Sequence, residues 1–211
     1  MKGILLKDYY AVKSTFWMML LILGVIGMML MFIAPSILPL CAPTLFSIVL
    51  SMQVNYTIAS DSASKWNRIA VTLPIQRGTM IAGKYLLYAA SAFIGALLGI
   101  VLGFLGTFIS NVQVSSTFIS IAIAGFVLPI VAGTISIPLI YAFSKNEASW
   151  TICFVLSYLF IAVIFFIAYP KLGTIQASML VWIMLALLFV SLGLFFLSFL
   201  IAKRIFDKQD L

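Results

Sequence analysis

The chain has 211 residues, 64% of them hydrophobic and only 8% charged, with a mean hydropathy of +1.25 and a formal net charge of +7. Soluble domains carry about 25% charged residues, so this composition excludes a soluble globular protein and requires a bilayer. There is no histidine, and the two cysteines, Cys41 and Cys153, lie in different apolar runs without CxxC spacing. They read as reduced packing residues, and no metal site is expected.

A membrane-spanning helix needs about 20 mostly apolar residues. Six stretches qualify, at about 14–34, 37–60, 80–110, 117–143, 149–169 and 177–202. The runs are continuous rather than alternating, which favours helices over an outer-membrane barrel. The expected fold is therefore an all-α integral membrane protein, one transmembrane domain over 1–211 with six spans.

Residues 1–13, MKGILLKDYYAVK, form the first predicted element. Ile4, Leu5, Asp8, Tyr9 and Val12 recur at helical spacing among lysines, the pattern of an amphipathic helix lying at the membrane surface. The first span is too long for the apolar core of a signal peptide, and more spans follow it. Ala34-Pro35-Ser36 turns it into the second, whose Pro39 and Pro43 suit opening helical turns. Within that second span Ser47, Ser51 and Asn55 share one face. Two readings stand: hydrogen bonds between helices, or a partly hydrated path for uncharged amphipathic cargo.

Residues 61–79 interrupt the apolar pattern. Read as a helix, 62–73 place Trp66, Ile69, Ala70 and Leu73 on one face, with Lys65 and Arg68 elsewhere. Asp61 or Ser62 can cap its start, and Pro74 ends it before Arg77. A basic loop on anionic lipid would explain the charges and the tryptophan. It would not explain a capped amphipathic helix closed by a proline turn, the form of a partner-docking element.

In the third span Ser91, Gly95, Gly99, Gly103 and Thr107 place a small residue at every fourth position. The face suits close helix packing, or alternatively a sliding or dimer-forming surface. Pro129 and Pro138 should bend the fourth span.

Charge placement sets orientation. Eleven of the twelve Lys/Arg residues fall on one set of alternate loops, and only Lys171 on the other. Both termini and residues 61–79 are thus expected in the cytoplasm, and the positive charge reads as topology rather than a nucleic-acid footprint. No charged residue falls near mid-span; Lys84 and Glu147 sit at the edges. That argues against a proton-coupled transporter and an intramembrane metalloprotease, and against acid–base enzymology. Gly78 to Lys84 matches a phosphate loop up to its last position, where Tyr85 replaces the required Ser/Thr. The match also runs straight into a span rather than following a strand, so it reads as chance.

Asp61, Trp66, Leu73-Pro74, Arg77 and Lys84-Tyr85-Leu86 resemble the D…W…LP..R……KYL signature between the second and third spans of short ABC-2-type transporter permeases. The six-span layout, N-terminal surface helix, internal termini and length agree with that family along the whole chain. Gly78 and Met80 depart from it slightly. The resemblance implies a coupling helix that docks on a separate ABC ATPase subunit, which binds ATP and magnesium, so this chain needs no cofactor. It implies a second permease subunit, identical or not, completing an export path in a bacterial plasma membrane. Small permeases of this kind include some similar to exporters of phenol-soluble modulins, which are amphipathic peptides, and others similar to bacitracin-resistance or sodium-export permeases. The competing function is a stand-alone membrane interaction or immunity protein without transport. An ATPase subunit copurifying with the chain separates the two.

Overall fold

A computed structural model describes residues 2–34, 36, 38–66, 77–110, 116–143, 151–161 and 177–208. The described residues are helical apart from short turns. Helix α1 spans Lys2–Ile33, α2 Leu38–Ala63, α3 Arg77–Ser110, α4 Ser116–Phe143, α5 Thr151–Ile161 and α6 Ala177–Asp207. Five of these, all but α5, are long and apolar enough to cross a membrane. The fifth expected span, 149–169, is described only over Thr151–Ile161.

Two boundaries differ from the sequence reading. The 1–13 segment is not a separate helix but the opening of α1, which runs unbroken for 32 residues. No glycine or proline lies between Lys7 and Thr15 to interrupt it. At 1.5 Å per residue α1 is about 48 Å long, so a dozen residues extend beyond a ~30 Å apolar core. Second, Asp61 and Ser62 do not start a coupling helix; they lie in the last turn of α2. The helix ends where Ser64 N–H donates to Ser60 O and Lys65 N–H to Ser62 O. Lys65 takes the left-handed conformation (φ 56°) that commonly closes a helix. Trp66 is helical again, and residues 67–76 lie outside the described set.

Helix α2 is the hub. Of its apolar window 61% is buried, against 11% for α1 and 6% for α6. Association in lipid depends on close backbone approach and polar ties more than on apolar burial, and α2 has both. A Cβ added at Gly95 of α3 would lie 2.6 Å from Ser47 Cα, and one at Gly99 would strike Ala42 and Pro43. From the other side, Gly125 of α4 packs against the Pro43 carbonyl. Gly103 meets Pro39 and Phe118. The small-residue stripe is thus the α2–α3 seam of this chain.

The prolines of α4 also have a structural consequence. Pro138 has no N–H to give Thr134, and the freed Thr134 carbonyl accepts the Ser198 hydroxyl of α6 at 2.8 Å. Ser198 in turn pairs with Tyr85 of α3 at 2.8 Å. One chain of hydrogen bonds joins α3, α4 and α6. Cys41 in α2 and Cys153 in α5 are not joined by a disulfide.

Candidate functional site

The first turns of α1 and α3 and the last turns of α2, α4 and α6 meet at one end of the bundle. Four charges meet there. The Lys84 ammonium of α3 donates to Asp8 Oδ1 of α1 at 2.8 Å, pairs with Asp61 Oδ2 of α2 at 2.7 Å, and reaches Thr57 Oγ1 at 3.4 Å. Those are the three donors an ammonium has. Lys7 pairs with Asp61 Oδ1 at 2.6 Å and approaches Asp8 at 3.5 Å. Two cations and two carboxylates leave no net charge. Met80, Ile81, Tyr141 and Phe206 close over them.

Burial gives this cluster its weight. Asp8 is 0% exposed and Lys84 only 6%, so each charge depends on its partners rather than on water. Among the described residues Asp8 Oδ2 is buried without a hydrogen bond, which makes Asp8 the most dependent member. Trp66 packs inward against the adjoining apolar core, and Lys7 sits 4.5 Å from the centre of its ring. A cation over an indole face is a further attraction. The tryptophan is therefore half-buried against the bundle.

The structure brings together Asp61 and Trp66 of the predicted coupling set, with Arg77 nearby. The Arg77 guanidinium donates to the Asp207 carbonyl of α6 at 3.2 Å. Lys65 is exposed at the turn and Ser62 lies in α2. Arg68, Ile69, Leu73 and Pro74 lie outside the described residues. Sequence reasoning missed Asp8 and Lys7, which it gave to the lipid surface, and placed Lys84 at the edge of a span. An acid on the apolar face of an otherwise basic segment was the available signal.

The second-span residues lie elsewhere. Ser47, Ser51 and Asn55 are all fully buried. Ser47 donates to Ala92 O of α3 at 3.0 Å, Ser51 to Ile48 O of its own helix, and Asn55 to Ser136 Oγ of α4 at 3.2 Å. Two of the three join helices of this chain. Gly78 and Lys84, the ends of the phosphate-loop match, both lie within α3. A helix does not form a phosphate cradle, and Lys84 is already occupied.

Asp61, from the end of the second long helix, is paired with Lys84, two turns into the third. A family model described as ABC-2 family transporter protein matches residues 3–207. The chain belongs to that family. It is an ABC-2-type permease, the membrane component of an ABC transporter, and membership implies an ABC ATPase partner. No curated protein and no solved structure matches the chain. What the cluster provides is an electrostatic fastening of α1, α2 and α3 beside the segment that joins α2 to α3.

Proposed function

We propose that this permease is the membrane-spanning subunit of an ATP-driven exporter, and that residues 61–79 couple it to a separate ATPase subunit. The observation that supports this most is the placement of the charge cluster. Asp61 precedes residues 67–76 and Lys84 follows them, and the two are paired at 2.7 Å. A push on that segment by a partner would reach α2 and α3 together, and α1 through Asp8. Trp66 anchors the segment to the bundle, and Lys65, Arg68, Ile69, Leu73 and Pro74 belong to the same coupling segment.

The partner binds and hydrolyses ATP with magnesium, and this chain holds neither. A second permease subunit, identical or not, completes the path. The cargo is amphipathic peptide or a similar membrane-active molecule. Both termini face the bacterial cytoplasm, in keeping with the positive charge at that end of the bundle.

Copurification and turnover test this reading. The tagged permease should retain an ATPase subunit that has no spans of its own. Trp66→Ala with Ile69→Ala should leave membrane insertion intact while ATP hydrolysis no longer responds to cargo. A permease that holds no ATPase, yet still protects cells from membrane-active peptides, would favour an immunity protein without transport.

A further inference from the structure

Between them α3 and α6 enclose a second feature, distinct in its lining from the charge cluster apart from the shared helices. A cleft of about 580 Å³ lies between Arg77, Gly78 and Thr79 at the start of α3 and Lys203 and Asp207 near the end of α6. Among the described residues neither Arg77 nor Lys203 forms a salt bridge. Arg77 spends one donor on the Asp207 carbonyl, of the five a guanidinium carries. Gly78 leaves room for the Lys203 stem, which a Cβ there would approach to 3.2 Å.

The cleft continues into an apolar groove of about 280 Å³, with Ala82 and Phe199 common to both. Leu86 and Ala89 line the groove on α3, and Leu192 and Phe196 on α6. Ala82 and Ala89 are small, so they form a floor, and the α6 aromatics form a wall. From Arg77 to Ala89 is about 18 Å along α3, and from Lys203 to Leu192 about 16 Å along α6. Half of a bilayer core is about 15 Å. The groove is one leaflet deep, with its cations at the water boundary and no charged residue in α6 before Lys203.

We propose that the α3–α6 cleft and groove bind one anionic phospholipid, its phosphate between Arg77 and Lys203 and an acyl chain against Leu86, Ala89 and Phe196. Two cations against the single Asp207 carboxylate favour an anionic over a zwitterionic headgroup. The depth of the groove favours a lipid over a free phosphate. The site stands apart from the coupling segment's inward anchor and does not depend on the export reading.

Native mass spectrometry of the full, delipidated chain in detergent tests it, with dioleoylphosphatidylglycerol and dioleoylphosphatidylcholine as probes. The parent should retain one phosphatidylglycerol in strong preference to phosphatidylcholine. Each surface cation contributes about fivefold in affinity for anionic lipid, so Arg77→Ala with Lys203→Ala should lower retention roughly 30-fold. Arg77→Lys with Lys203→Arg should keep it. Ala89→Phe, which fills the groove and spares both cations, should lose the lipid as well. Glycerol phosphate, the headgroup without chains, should not bind. Equal retention of the two lipids, unchanged retention in the alanine pair, or binding of glycerol phosphate alone would overturn the proposal. So would a dimer peak without lipid that Ala89→Phe abolishes, since a second copy would then occupy the groove. If the alanine pair does not fold, the charge-preserving pair and Ala89→Phe decide the matter.

Discussion

Replacing Lys84 by methionine keeps the length and much of the volume of the side chain while removing its charge and all three donors. Asp61 would keep Lys7 at 2.6 Å, but Asp8 would be left with Lys7 at 3.5 Å alone. Asp8 is fully buried, and one of its oxygens already lacks a partner. Breaking a buried pair by removing one member costs about 3–5 kcal/mol, because the remaining charge is stranded. At about 2–4 °C per kcal/mol for a chain of this size, Lys84→Met should lower the melting temperature in detergent by roughly 6–20 °C. Adding Asp8→Asn should restore most of the loss, since the stranded charge is then gone. The pair should therefore be non-additive by about 0.5–3 kcal/mol. Thermal unfolding of the parent, both single variants and the double variant measures this. A Lys84→Met protein that melts with the parent, or a double variant that loses the sum of the singles, would show that the four charges do not form one network.

The glycine seam and the second-span amide give two further expectations. Gly99→Leu should disrupt folding of the single chain itself, by more than the usual 1–3 kcal/mol of overpacking, because the added atoms meet the Ala42–Pro43 backbone rather than a movable side chain. Gly24→Leu, with nothing within 4 Å of an added Cβ, serves as control, and normal expression and melting of Gly99→Leu would refute the seam. Asn55→Leu removes one hydrogen bond to Ser136 and one unpartnered amide oxygen together, so stability should change by less than about 1 kcal/mol. Resistance to a panel of amphipathic peptides should then stay as in the parent; a changed cargo preference would return Asn55 to the export path.

Much of the layout was legible because lipid imposes strict rules. Long apolar runs gave the cores of α1, α2, α3, α4 and α6, and four-residue spacing gave the face on which α3 meets α2. What failed was assigned by local chemistry that tertiary contacts overrode. Asp61 and Ser62 look like a helix start because short polar side chains can cap free backbone N–H groups. In the fold the Asp61 carboxylate is taken instead by Lys84 and Lys7, and α2 continues to Ala63. Residues 1–13 look like a surface helix because lysines alternate with apolar groups. Asp8 breaks that pattern, and a lone acid among lysines gives no indication on its own of which distant cation it will meet.

The meeting of those charges has a mechanical corollary on the proposed coupling reading. A helix pair held only by apolar contact can slide in a bilayer, since lipid tails replace the lost contacts at little cost. The α2–α3 pair cannot do so freely at either level. In mid-membrane, Gly95 and Gly99 lock backbone against backbone, and at the charged end Lys84 bridges Asp61 and Asp8. Sliding by one turn, about 5.4 Å, would separate every one of those ion pairs inside a buried site. The compliant joint must therefore lie elsewhere. The α4–α6 side, joined to α3 by the neutral Tyr85–Ser198–Thr134 hydrogen bonds, can part from α3 without stranding a charge. Motion driven through residues 61–79 would move α1, α2 and α3 together at the charged end, where any parting from α4 and α6 breaks neutral hydrogen bonds rather than ion pairs.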